Sequence, residues 1–242
     1  ITPMPPLDLL AIAPHRDDAE LSCGGTLLVA KRQGYRTGVL DLSLGEKGTR
    51  GSAAVRGAEA DRAAGVLGLA VRENLELPDA GITNTPDTRI KLARLIKKLQ
   101  PKVVIAPATH GRHPDHAAAA QLVRDACFVA GLAKIDPVTP PFRPSKIIHT
   151  ITYREDHVKP TFVVDISEVF EQKLEAIKCY ASQFDNAIQA GEVFPNGEPL
   201  YDIVRHQAAH YGSLIRVKYG EPFWTSETAM INDVVAMGVS TF

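Results

Sequence analysis

Short apolar runs alternate with helix-length segments through the first half of the chain, and few architectures accept that rhythm. Residues 7–13, 37–42, 74–77 and 102–106 read as strands, the first and last of them mostly apolar. Residues 21–33, 53–67, 87–99 and 115–129 have helical spacing, and Gly34 and Gly68 stand where the first two helices should stop. This order predicts an α/β fold, a Rossmann-like and mostly parallel sheet with helices on both faces. Past residue 131 the pattern changes: Pro137, Pro140, Pro141 and Pro144 precede expected strands at 146–153 and 161–164 and helices near 167–183 and 199–216. No segment of the 242 residues reads as a linker. A single domain is therefore expected, with a core of about 6–130 and a C-terminal extension of about 131–242 that widens the sheet and covers the site.

Chemistry gathers where two of those strands end. His15-Arg16-Asp17-Asp18-Ala19-Glu20 follows the first, and His113-Pro114-Asp115-His116 follows the fourth; strand ends are where α/β folds collect reactive side chains. A dinucleotide-binding chain carries G-x-G-x-x-G after its first strand, whereas two carboxylates there repel phosphate and attract a cation. Each cluster alone has a plainer explanation. Asp17 and Glu20 suit a helix cap worth ~1 kcal/mol, and an H-P-D start suits a cap with two solvent-facing histidines. A cap has no use for His15, however, and the placement of both clusters after strand ends favours a metal site. Two imidazoles and one carboxylate form a hydrolytic zinc site with a position open for water. The expected ligands are His15, Asp18 and His116, which leaves Asp17, His113 and Asp115 for proton transfer and orientation. His110 reads as a loop residue.

Composition removes other classes. A net charge of -1 offers no basic field for a nucleic-acid backbone. No apolar run approaches the roughly 20 residues that cross a bilayer, and the N-terminus lacks a signal pattern. Neither nucleic acid nor membrane is an expected partner, and a cytoplasmic location is expected. Cys23, Cys127 and Cys179 are odd in number and far apart, so they read as reduced filler, neither a disulfide framework nor a thiolate zinc site.

At its two clusters the chain resembles the LmbE-like (PIG-L) family of zinc-dependent N-deacetylases, whose signatures are a strand-end [AH]-P-D-D-x-E and a downstream H-P-D-H. Gly24-Gly25-Thr26, residues 45–51, Ser182-Gln183-Phe184 and Tyr219-Gly220-Glu221-Pro222-Phe223 are similar as well. Those stretches look most like the bacillithiol-biosynthesis deacetylases, which remove acetate from N-acetylglucosaminyl-malate. Arg16 departs from the pattern, where the family usually has proline. An altered turn stiffness and an added anion contact are expected of it, with the metal kept.

The resemblance implies Zn2+ held by His15, Asp18 and His116, a small and anionic amino-sugar substrate, and a homo-oligomer. It implies Asp17 as general base for the water that attacks the acetamide. A protonated His113 would stabilise the oxyanion, with Asp115 orienting it and raising its basicity. Arg56 and Arg50, on a loop and helix crowded with cations, are the expected substrate contacts because their guanidinium forks match carboxylates such as malate's. Tyr153, His210 and Tyr211 are further candidates to line the pocket. Two rival readings stand beside this one: a deacetylase of another acetylated amino sugar or thiol conjugate, and a non-catalytic ligand-binding module on the same fold.

Overall fold

The computed structural model describes residues 5–136, 139–151, 158–185 and 199–239. Its strands are β1 (Leu9–Ala13), β2 (Thr37–Ser43), β3 (Val71–Leu77), β4 (Val103–Ala106), β5 (Lys146–Thr150), β6 (Phe162–Asp165) and β7 (Gly220–Trp224). Among the described residues they form one sheet in the order β3-β2-β1-β4-β5-β7-β6. Every pairing from β3 across to β5 is parallel, and β7 joins β5 and β6 antiparallel. The helices are α1 (Asp18–Arg32), α2 (Ala53–Leu67), α3 (Pro86–Leu99), α4 (Pro114–Ala130), α5 (Phe170–Lys178), α6 (Ala181–Phe184) and α7 (Leu200–Leu214). No helix among the described residues is long and apolar enough to cross a membrane.

Side-chain alternation along β1 shows why the sheet is covered twice. Leu9, Ala11 and Ala13 enter one core with side chains of α1, α5 and α7, while Leu10 and Ile12 enter the other with those of α3 and α4. Each fully buried leucine or isoleucine stabilises this arrangement by about 1.5–3 kcal/mol. The consequence for function is a rigid central strand whose last residue, Ala13, leads directly into the first acid-and-histidine cluster.

The expected elements are present with instructive shifts. Helix α1 starts at Asp18, three residues before the apolar spacing begins, because the acidic cluster itself forms the first turn. Helix α2 occupies 53–67, closed by Gly68 in the left-handed region at φ 61°. The helix expected over 167–183 is interrupted: α5 ends at Lys178, and Tyr180 leaves helical geometry with its ring buried and its hydroxyl donating to Glu20 Oε1 at 3.1 Å. Strand β7 was not expected at all. Pro222 lies in it, but β5 pairs only with Phe223 and Trp224, so no bond to β5 is lost at the proline.

Glu221 on β7 ties the second half of the chain to the first. Its carboxylate is buried and accepts the backbone N–H of Gly25 at 2.8 Å, the backbone N–H of Thr26 at 2.6 Å and the Thr26 hydroxyl at 2.6 Å. The Lys173 ammonium on α5 closes the network at 2.6 Å. A Cβ on Gly25 would meet Glu221 Oε1 at 2.9 Å and Ile166 at 2.8 Å, which accounts for the glycine. The C-terminal extension thus continues the sheet and clamps α1.

Candidate metal centre

Strand order reverses between β1 and β4, and in open α/β sheets the crevice at that point is where ligands bind. The chain delivers the first cluster there from β1 and the second from β4. After Pro14 the backbone turns so sharply that Asp18 Oδ2 accepts the backbone N–H of His15 at 3.0 Å. The second cluster opens α4, with His113 at the N-cap and Pro114 in the first turn, so that His116 faces back toward the sheet.

Three donors converge. Asp18 Oδ2 lies 3.0 Å from His15 Nδ1 and 3.4 Å from His116 Nε2, and one ligand atom from each residue lies within 4.8 Å of the others. Two ligands on a tetrahedral zinc, at about 2.0–2.1 Å each, stand about 3.3 Å apart, so the spacing and the N, N, O donor set fit that ion. The electrostatics agree. Burial opposes charge on His15, yet the Asp18, Asp17 and Asp79 carboxylates outweigh it and raise the imidazole to about 9. Burial also works against the Asp18 carboxylate, but His116 and His15 hold it well below the usual range. Without a metal, protons supply the positive charge that these donors demand.

The far side of His15 carries a result the sequence did not reveal. Its Nε2 lies 3.3 Å from Asp115 Oδ2 and 3.3 Å from Asp79 Oδ1. Carboxylates there fix the proton on Nε2 and leave Nδ1 toward Asp18, the usual support of a metal-ligating histidine. The Asp115 carboxylate expected to orient His113 is bonded to His15 instead, while its charge still acts to raise the pKa of the His113 imidazole. The other Asp115 oxygen accepts the backbone N–H of Ile82 at 3.2 Å, and His113 Nδ1 accepts the Asp115 backbone N–H at 3.2 Å. With Nδ1 accepting, neutral His113 bears its proton on Nε2. Burial and the nearby His15 lower its pKa, which opposes the protonated form expected from the sequence. Asp79, just past the end of β3, also accepts the Lys47 backbone N–H at 2.9 Å. A carboxylate immediately after a strand was the signal available for it.

Asp17 does not cap α1, for it sits at the N-cap without a side-chain cap hydrogen bond. Its Oδ2 pairs instead with the Arg56 guanidinium at 3.2 Å, and Arg56 donates its other arm to the Gly45 carbonyl at 3.1 Å. Gly45 has φ 70°, and a Cβ on it would collide with that guanidinium. Burial raises the Asp17 carboxyl to about 6 against the opposing pull of Arg56. A carboxyl titrating near neutrality suits a general base. Arg56, only 4% exposed, is committed to Asp17 and Gly45, a geometry that favours positioning the base over direct contact with substrate.

The remaining candidates divide. Arg50 reaches toward the Asp185 carbonyl at 3.5 Å, and its own carbonyl accepts the Gln183 amide at 2.7 Å, so the 45–51 loop is latched to the C-terminal half. Arg16 donates to the Ala53 carbonyl at 2.7 Å; it fastens the turn to α2 rather than presenting an anion site. Glu20 is buried against Arg72 at 2.5 Å, a structural pairing. Cys23 and Cys127 are buried free thiols and Cys179 is half-buried. His110 and His210 are exposed, Tyr211 is buried but absent from the crevice wall, and Tyr153 lies outside the described residues.

Comparison with known proteins adds to the geometry. The PIG-L family, described as GlcNAc-PI de-N-acetylase, matches residues 10–127. A diacetylchitobiose deacetylase from Thermococcus kodakarensis is 31% identical over 232 residues, covering 88% of this chain and 80% of its own length. A 4-oxalmesaconate hydratase from Pseudomonas putida is 27% identical, covering 74% of this chain and 75% of its own. A probable N-acetyl-alpha-D-glucosaminyl L-malate deacetylase 2 from Bacillus anthracis is 28% identical, covering 73% and 81%. Among solved structures, the conserved protein TT1542 from Thermus thermophilus aligns with a TM-score of 0.83 at 38% identity, covering 93% of this chain and 97% of that one.

Proposed function

The chain belongs to the PIG-L family, and from that premise we propose that it is a zinc-dependent hydrolase removing the N-acetyl group from an N-acetylglucosaminide. The observation that carries this reading is the convergence of His15 Nδ1, Asp18 Oδ2 and His116 Nε2, with the Asp17 carboxyl beside them. A zinc ion held by those three atoms supplies a Lewis acid and lowers the pKa of water from 15.7 to about 7.

The chain's own residues do the rest. The Asp17 carboxylate, held by Arg56 through Oδ2, accepts a proton from the attacking water and returns it to the departing amine. Neutral His113 donates from Nε2 to the carbonyl oxygen as negative charge develops there. His15 is kept in place from behind by Asp115 and Asp79. The products are acetate and a free amine. Arg50 and Lys47, on the loop beside Arg56, suit an anionic aglycone such as malate. The exposed apolar side chains of Met230, Val234, Val235 and Val239 support self-association, and three free thiols are consistent with a reducing, cytoplasmic setting.

The test is acetate release by zinc-loaded protein from N-acetylglucosaminyl-malate and from N-acetylglucosamine, measured beside Asp17→Asn. Release that falls ~10²- to 10⁴-fold in the variant is the expected outcome. Turnover unaffected by Asp17→Asn removes Asp17 as the base. Hydration of 4-oxalmesaconate with no acetate released from either sugar would transfer the chain to the reaction named for its Pseudomonas relative.

A further inference from the structure

We infer that the acyl group, not the sugar, enters the crevice beneath the metal ligands, and that this crevice accepts acyl chains longer than acetyl. The inference rests on the hydrolase reading above and adds the acyl specificity to it. The crevice runs between α1 and the ends of β1, β4 and β5. Asp18 and His116 form part of its wall, and most of the remainder is apolar, including Ala11, Ala13, Leu21, Ile105, Ala108 and Ile151. The Asp17, Arg56, His113 and Asp79 side chains are all absent from that wall. A scissile amide placed at the metal ligands therefore has a polar side and an apolar side.

Sugar hydroxyls turned into the crevice would lose water without gaining partners, a cost that an alkyl chain does not bear. Among the described residues the polar side chains available there are few, and the Ser22 hydroxyl is already donated to the Asp18 carbonyl at 2.6 Å. Size points the same way. The crevice holds about 60 Å³, room for roughly four or five waters at the ~10–15 Å³ that each requires. The methyl of an acetyl group fills about one such place. Two or three further carbons fit in line behind it, the length of a butyryl to pentanoyl chain.

The test measures binding of the carboxylate products to zinc-loaded protein, which proceeds whether or not any amide turns over. Acetate, butyrate and hexanoate are titrated by calorimetry. Burial of each methylene strengthens binding about fourfold, so butyrate is expected to bind about fifteenfold more tightly than acetate, with at most one further fourfold step for hexanoate. Ala108→Leu, which fills the crevice, should bring the butyrate-to-acetate ratio close to one. Leu21→Ala, which enlarges it, should move the preference toward hexanoate and serves if the first variant does not fold. Equal or weaker binding of butyrate by the wild type, or no carboxylate binding at all, overturns the inference. With zinc bound and butyrate preferred, absence of acetate release from every sugar would defeat only the hydrolase reading.

Discussion

His15 Nε2 lies 3.3 Å from the Oδ2 of Asp115, a residue 100 positions further along the chain. That contact joins the two clusters behind the proposed metal site and determines which ring nitrogen of His15 faces Asp18. Asp115→Asn keeps the shape and removes the charge, leaving only Asp79 to hold the imidazole. Zinc affinity, measured by competition with a chromophoric chelator, is expected to fall about 10- to 100-fold. An unchanged affinity would show that Asp115 does not support the ligand.

Arg56 separates two roles by a pH profile. Its guanidinium opposes the rise of the Asp17 carboxyl, so its removal raises that carboxyl further. The base works ionised; hence the acid limb of kcat/KM should move to higher pH in Arg56→Met, with a larger loss at pH 6 than at pH 8. A uniform rise in KM with the limb in place would return Arg56 to substrate contact, the role expected from sequence.

Metal uptake should release protons. Burial lowers both imidazoles, but the Asp18 carboxylate outweighs it: His15 is raised to about 9 and is largely protonated at pH 7 in the metal-free protein, and His116 is raised as well. Zinc must displace those protons. Affinity therefore rises with pH up to about 9, by about tenfold per pH unit for each proton displaced. Calorimetry in buffers of different ionisation enthalpy counts them, and a count of zero at pH 7 would contradict the assignment.

The Glu221–Lys173 pair should be costly to break from one side. Both groups are buried, so Glu221→Ala leaves the Lys173 ammonium with the Leu21 carbonyl but no counter-charge and is expected to destabilise the fold by about 3–5 kcal/mol. Replacing both residues by apolar side chains should recover much of that. A single-variant effect below about 1 kcal/mol in urea unfolding would show that the pair does not clamp the second half.

Local signals made much of this legible in the sequence. The continuous apolar run of β1, buried on both faces, and the Gly68 stop of α2 are written in neighbouring residues, and the candidate ligands His15, Asp18 and His116 were legible from their places at strand ends. Long-range partnerships were less visible. Asp79 meets His15 only because β3 and β1 share a sheet, and Arg56 meets Asp17 because Gly45 leaves room for its guanidinium. The hydrogen bond of Asp115 was hidden for the same reason: its neighbour in sequence is His113, but its carboxylate bonds to His15. Strand β7 was hidden by Pro222, whose tolerance depends on where β5 stops.

The most direct measurement is an anomalous difference map at the zinc edge from crystals of the zinc-loaded protein. One peak is expected, within about 2.0–2.2 Å of His15 Nδ1, Asp18 Oδ2 and His116 Nε2. A map with no peak there, or with zinc on other side chains while His15 and His116 face apart, would contradict the claim that these three residues share one ion.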